Sequence, residues 1–519
     1  MKYWWKKTNF VFLKKNKKEM ANPLKKLAGE TAIYGLSTIL ARIINFLFVP
    51  FYTRLLTTAS YGVVTEFMAY IAVLQVVLVM GLETGCFRFA NKEGQDPKKV
   101  YSSALVAVFG VSAAFLALML VFAEPLASML GYDGFGCCIK YMGGILAMDS
   151  VTAILFAKLR QEHKAVKFAI FKTVKILAET GANIYLFFAT KPAWMFNFVS
   201  ETPDFSYVIF AIFISCIICT LLFVPDLVKF SFEFDGKLLK RMLVYSLPLM
   251  VAGLPGILND FVDRILFRFL DTNSEVWQSS LGIFQAAVKL AVIMNLFIQM
   301  FRFAAEPFFF QRAGKKGSKE LYAQVMEIFT AFCGLVFLGV ILYIDIIGLI
   351  LGRDFRSALG VVPIMLLSYM ILGMNFNVSM WYKLAEKTSM AIYITLAGLA
   401  VTIVINVIFM PLYSYWAAAF GHLASYIVMF VCSAVLGQKY YPIPYNWRHI
   451  ALIFLALGGV CGGSYLIDYL FFADVVLGSS PAGQTILMLG VHTLLLAIYV
   501  GLVWKVVRHS IPTSDPVES

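Results

Sequence analysis

Four polar residues, Lys172, Lys175, Glu179 and Asn183, stand at steps of three, four and four inside a stretch that is otherwise largely apolar. On a helix that spacing places them along one face. A cationic face held in apolar surroundings suits the binding of a polyanion, with lysine as a point charge and arginine gripping paired oxyanions bidentately. Two more apolar stretches carry polar stripes. One holds Thr31, Thr38, Arg42 and Asn45; the other holds Gln285 and Lys289, then Asn295, Gln299, Arg302 and Glu306. Arg42, Lys172, Lys175, Lys289 and Arg302 are therefore the candidate anion-binding cations. The bland alternatives are a self-neutralising Lys175 with Glu179, which still leaves Lys172 unpaired, and snorkelling of Arg302 to a membrane interface.

Seven acids also fall in apolar stretches: Glu30, Glu66, Glu83, Asp149, Glu179, Asp260 and Asp263. Asp149 has no basic residue three or four positions away, and a carboxyl left uncompensated in hydrocarbon keeps its proton more readily. Asp149 and Glu179 are accordingly the candidates for coupling to proton or sodium entry. His422 could titrate in the same way, although a lone histidine is more often a hydrogen-bonded core residue. A spacing of four pairs Asp260 with Arg264 and Asn259 with Asp263, which reads as a structural salt bridge and hydrogen bond. Pro248 and Pro255, with Gly253 and Gly256, predict a bent helix, either a hinge or a static kink. Cys216 and Cys219 form a CxxC, but inside an apolar helix with no second pair it reads as packing. No metal site and no cofactor is expected.

The elements that must position these residues follow from composition. The 519 residues are 60% hydrophobic and 14% charged, with a mean hydropathy of +0.80, which is the balance of a chain solvated by lipid. About 20 apolar residues cross the bilayer. That window gives fourteen spans, near 28–50, 62–87, 101–122, 139–158, 168–189, 205–227, 242–267, 280–303, 322–344, 358–381, 390–410, 415–437, 449–472 and 484–504.

The net charge of +13 does not point to nucleic acid, because the basic residues alternate from loop to loop. Thirty-one Lys and Arg fall in the tails and even loops, against five in the odd loops (Arg54, Lys191, Arg268, Arg353 and Arg356). Positive residues stay cytoplasmic, so both termini are expected inside, in a bacterial inner membrane. The first apolar run is too long for a signal peptide and reads as a retained span. Residues 1–19 precede Met20 and a compact MANPLKK start; they read either as a basic surface segment or as lying upstream of the native start.

An internal repeat sets the expected architecture. Tyr34-Gly-Leu-Ser recurs as Tyr245-Ser-Leu-Pro at an offset of 211, and Tyr61-Gly-Val-Val recurs as Leu281-Gly-Ile-Phe at an offset of 220. The fold class is therefore all-α: a polytopic membrane protein of two parallel six-helix repeats plus two extra C-terminal helices. The expected domains are a basic cytoplasmic tail (1–27), an N-terminal six-helix bundle (28–230), a C-terminal six-helix bundle (231–437), and two additional helices with a cytoplasmic tail (438–519).

The run Pro50-Phe-Tyr-Thr-Arg54-Leu-Leu, then Tyr61-Gly62, Gly81-Leu82 and Arg88-Phe89, resembles the opening of the Wzx-type polysaccharide flippases of the multidrug/oligosaccharidyl-lipid/polysaccharide exporter superfamily. So does the second-half opening, Ser246-Leu-Pro248 with Asp263-Arg264, then Gly282-Ile-Phe-Gln-Ala-Ala-Val-Lys289 and Ala305-Glu-Pro307. The resemblance spans roughly residues 24 to 437. It implies a transporter, not an enzyme, that moves undecaprenyl-pyrophosphate-linked oligosaccharides to the periplasmic leaflet by alternating access. Its partners would be the lipid-linked oligosaccharide, membrane lipids, a coupling proton or sodium ion and polysaccharide assembly proteins. Two other classes compete. A drug/cation antiporter of the same superfamily would want an anionic or neutral cavity, against Arg42, Lys172 and Lys289. A membrane polymerase or ligase would want a large external loop, whereas the longest connections here are roughly 15 to 20 residues. GxxxxGKS, HExxH and nucleophile-elbow motifs are missing from the sequence.

Overall fold

The computed structural model describes residues 35, 39, 40, 42–92, 94–228, 233–271, 276–472 and 482–508. Most of the first expected span, including Thr31 and Thr38, and residues 1–19 lie outside these. Among the described residues the protein is all-helical and has no strands. Its α-helices are α1 (Val49–Leu55), α2 (Thr58–Val79), α3 (Leu82–Ala90), α4 (Pro97–Val121), α5 (Ala123–Met129), α6 (Gly136–Gln161), α7 (Ala165–Phe188) and α8 (Phe205–Val228). There follow α9 (Gly236–Leu270), α10 (Trp277–Arg312), α11 (Ser318–Ile341), α12 (Ile344–Gly348), α13 (Val362–Leu384), α14 (Met390–Tyr413), α15 (Tyr415–Tyr440), α16 (Trp447–Phe471) and α17 (Ala482–Val507). Helices α2 and α3 form one kinked span, broken by left-handed backbone at Met80 (φ 54°) and Gly81 (φ 66°).

Twelve described helical segments are long and apolar enough to cross a bilayer. Helix α7 has 24 residues, about 36 Å at 1.5 Å per residue, and so is long enough as well. Its Lys167, Lys172, Lys175 and Glu179 keep it out of that apolar set. Fourteen spans are consistent with these thirteen helices and the first, largely undescribed one.

By their contacts the residues divide into two units. The first holds Gln75–Glu201 and Ser206–Leu249 with the described residues up to Asn45; the second holds Phe46–Leu74, Thr202–Phe205 and everything described from Met250 on. This division departs from the expected boundary near residue 230. It falls at Leu249, inside α9, and Phe46–Leu74 joins the later half of the chain.

The first unit is built around aromatic contacts that tie α6, α7 and α8 together. Phe156 meets Phe168 at 5.1 Å and Phe223 at 5.0 Å, edge to face, and Phe171 meets Phe223 at 4.8 Å. Cys219 packs in this same buried core beside Leu155. The α6–α7 turn passes through His163 in left-handed backbone (φ 55°). There Glu162 accepts a hydrogen bond from Lys164, which together with its charge holds that ammonium above its ordinary value. Lys167 reaches both oxygens of Asp226 at 2.6 Å, fastening α7 to α8.

In the second unit the backbones of α2 and α10 approach closely. A Cβ on Gly62 would lie 1.9 Å from the Gln278 carbonyl oxygen, and one on Gly282 would lie 2.0 Å from that of Thr58. Residues 58 and 62 are related to 278 and 282 by the repeat offset of 220, so the repeated glycines meet reciprocally. Small residues permit such crossings where lipid supplies no hydrophobic drive. Beside this seam Arg54 donates to the Leu349 carbonyl at 2.9 Å, and the Gly352 amide donates to Thr53 Oγ1 at 3.1 Å. These contacts explain why Phe46–Leu74 belongs with the later residues. Helix α9 runs unbroken for 35 residues through Pro248 and Pro255. Helices α16 and α17, expected outside the repeat, are joined by His492 with Asp468 at 2.9 Å, and Tyr499 on α17 donates to the Ala331 carbonyl of α11.

Candidate functional site

Helices α6 and α7, with one residue each from α2 and α3, wall a polar cavity of about 330 Å³. Helix α6 contributes Asp149, Thr152, Phe156 and Arg160, which are one helical face by their spacing. Helix α7 contributes Phe168, Lys172 and Lys175, and Gln75 and Glu83 complete the lining. Three cations and two carboxylates thus share a small space among membrane helices. A larger groove of about 650 Å³, walled by residues such as Phe409, Trp416, Phe420 and Ile427, has no charged side chain and suits lipid instead.

The ion pairs inside the cavity differ from those expected. Lys175 does not pair along its own helix with Glu179; its Nζ lies 2.5 Å from Asp149 Oδ1 on α6. The same oxygen accepts from the Cys216 thiol of α8 at 3.4 Å. Asp149 is therefore not the uncompensated carboxyl its own helix suggested, because its partner comes from a neighbouring one. Arg160 Nη2 lies 2.8 Å from Glu83 Oε2. Lys172 has no carboxylate partner among the described residues and sits 4.3 Å from the centroid of the Phe156 ring, a cation–π contact. Glu179 stays outside the cavity wall, its backbone carbonyl accepting from the buried Asn183.

Of the five candidate cations the cavity unites two, Lys172 and Lys175. Arg42 is an exposed residue of the first unit and does not line it. Lys289 and Arg302 belong to the second unit, where Lys289 is half-buried and Arg302 lies 4.6 Å from the Phe376 ring centroid. Sequence reasoning missed Arg160 and Glu83 as site residues. By sequence Arg160 falls among the loop cations, yet its place eleven residues after Asp149, on the Asp149–Phe156 face, is a usable signal.

A second buried polar cluster joins α9, α14 and α15. The expected pairs within α9 are replaced by bonds across helices. Asn259 Oδ1 accepts from Thr402 at 2.6 Å and from Ser425 at 3.0 Å, and Asp260 accepts from Tyr426 at 3.0 Å. His422, expected alone, places Nε2 3.3 Å from Asp263 Oδ2. Arg264 instead lies 4.7 Å from the Phe261 ring centroid. Nearby, Arg268 grips the fully buried Glu66 through two hydrogen bonds, of 2.6 and 2.8 Å.

The family model described as polysaccharide biosynthesis protein matches residues 27–312, more than half of the chain. The chain belongs to that family, a flippase family of the MOP superfamily. Solved structures agree on the fold. A lipid II flippase, MurJ, in an inward closed conformation aligns over 91% of this chain and 98% of its own, with a TM-score of 0.68 at 13% identity. An inward-facing multidrug resistance MATE family transporter of the MOP superfamily aligns over 79% of this chain and 98% of its own, with a TM-score of 0.57 at 15% identity. No curated protein sequence matches the chain. With its membrane-spanning helices, the family and fold make this a membrane protein of the flippase or transporter kind.

Proposed function

We propose that the protein flips undecaprenyl-pyrophosphate-linked oligosaccharide repeat units from the cytoplasmic to the periplasmic leaflet of a bacterial inner membrane, for surface polysaccharide synthesis. The observation that carries this is the cavity with Lys172, Lys175 and Arg160 set among membrane helices. A charge near the middle of a span costs about 2.5–3.5 kcal/mol, so Lys172 and Lys175, both well inside α7, need a function that uses them. Arg160, at the C-terminal end of α6, joins them in the cavity. A diphosphate is such a use, and Arg160 has the fork geometry that phosphate oxygens prefer. The similar fold of MurJ, a lipid II flippase, supports a lipid-borne cargo. A drug/cation antiporter would gain nothing from a cavity whose three cations outnumber its two carboxylates.

In this reading Arg42, Lys289 and Arg302 contact the anion at other stages of transport. Pro248 and Pro255 serve as the hinge of alternating access, and both termini are cytoplasmic. Asp149 and Glu179 take part in coupling to a proton or sodium ion. The buried Asp263–His422 pair is a second candidate for coupling, favoured by its acid and base lying 3.3 Å apart. The test is surface polysaccharide in cells carrying the Arg42→Ala/Lys172→Ala/Lys289→Ala variant, with membrane insertion checked. Export should be abolished; normal polysaccharide with an inserted triple variant refutes the cationic-site reading.

A further inference from the structure

The cavity is nearly neutralised from within. Asp149 holds Lys175 at 2.5 Å and Glu83 holds Arg160 at 2.8 Å, while Lys172 has only the Phe156 ring as partner among the described residues. A diphosphate entering 330 Å³ among these groups therefore finds one cation without a carboxylate and two already engaged. We propose that Asp149 is an exchangeable counter-ion that occupies on Lys175 the place of a diphosphate oxygen, so that substrate binds by carboxylate-for-phosphate exchange. This rests on the diphosphate reading of the cavity and adds to it a residue that sets affinity by competing with the substrate.

The physics favours the arrangement. Uncompensated cations are costly inside the membrane, so the carboxylates stabilise the protein between one substrate and the next. An anion that met bare cations on three sides would bind tightly and leave slowly, which is a fault in a carrier that must release its cargo. Asp149 is built for the exchange, because it contacts Lys175 through one oxygen and is steadied by the weak thiol donor of Cys216 at 3.4 Å. Glu83 plays the same part toward Arg160 with a single contact through Nη2. Asp149 is thus a positioning residue: it acts on the substrate through Lys175.

The sign of the effect separates this role from a structural one. In full-length protein in nanodiscs, binding of inorganic pyrophosphate is measured by calorimetry at fixed pH and salt. Asp149→Asn should tighten binding about tenfold, within the range of ordinary coupling between sites, and should slow export. Asp149→Ser removes the same charge with a smaller side chain and carries the test should the asparagine variant fail to fold. Asp149→Glu keeps the charge and should bind like the wild type. A merely structural Asp149 predicts unchanged or weaker binding in both neutral variants, and that result overturns the proposal. Lys172→Ala should weaken binding. If Lys172→Ala weakens binding and the neutral Asp149 variants do not tighten it, the exchange fails and the diphosphate site stands. If Lys172→Ala leaves binding unchanged, the site itself is refuted. A polyprenyl diphosphate in the nanodisc lipid should displace pyrophosphate, and its failure to do so would assign the site to a free anion.

Discussion

Gly62→Ala tests the seam between α2 and α10 most directly. The added methyl would stand 1.9 Å from the Gln278 carbonyl oxygen, a backbone atom fixed in a helix, where an ordinary contact needs at least 3.4 Å. The helices must separate by about 1.5 Å, the difference between those distances, and the 3.1 Å hydrogen bond from Thr58 to Ser279 is lost with it. Overpacking of this kind costs up to about 3 kcal/mol. Alanine's better helix propensity returns about 1 kcal/mol, which leaves a net destabilisation of roughly 2 kcal/mol. Gly458→Ala is the control: nothing lies within 4 Å of its Cβ, so only the propensity gain remains. Thermal unfolding of the detergent-solubilised protein should place Gly62→Ala below the wild type and Gly458→Ala at or above it. Gly282→Ala should resemble Gly62→Ala, and the double variant should cost less than the sum, since one separation relieves both clashes. A Gly62→Ala protein that melts with the control, or strictly additive losses at the two glycines, would refute the reciprocal crossing.

Arg268→Ala strands the buried carboxylate of Glu66 and should cost about 3–5 kcal/mol in the same unfolding assay, whereas Glu66→Gln with Arg268→Gln should recover much of that loss. Tyr426→Phe removes the hydroxyl that donates to Asp260 and should destabilise by about 1–3 kcal/mol, while Tyr185→Phe, at an exposed ring, should be neutral. Alkaline phosphatase fused after Lys98 or Lys315 should be inactive, as expected from the 31 to 5 division of Lys and Arg between loops, which argues for a cytoplasmic placement of both positions; activity at either would invert the topology.

The all-helical membrane class was legible in the sequence because lipid imposes a one-dimensional rule: each span must be about 20 apolar residues long and satisfy its own backbone. The sequence also determined that α7 is charged, that Lys172, Lys175, Glu179 and Asn183 share a face, and that Gly62 and Gly282 are repeat equivalents, since these depend only on helical period and self-similarity. Which charge meets which was decided by tertiary structure alone. Local spacing sees partners three or four residues away on one helix, and it paired Lys175 with Glu179 and Asp260 with Arg264. Packing brought Lys175 to Asp149, 26 residues distant, Arg160 to Glu83 at 77, and Arg268 to Glu66 at 202. A buried charge takes the partner that desolvates with it, and that partner is set by how neighbouring helices are rotated against each other, which no single helix encodes.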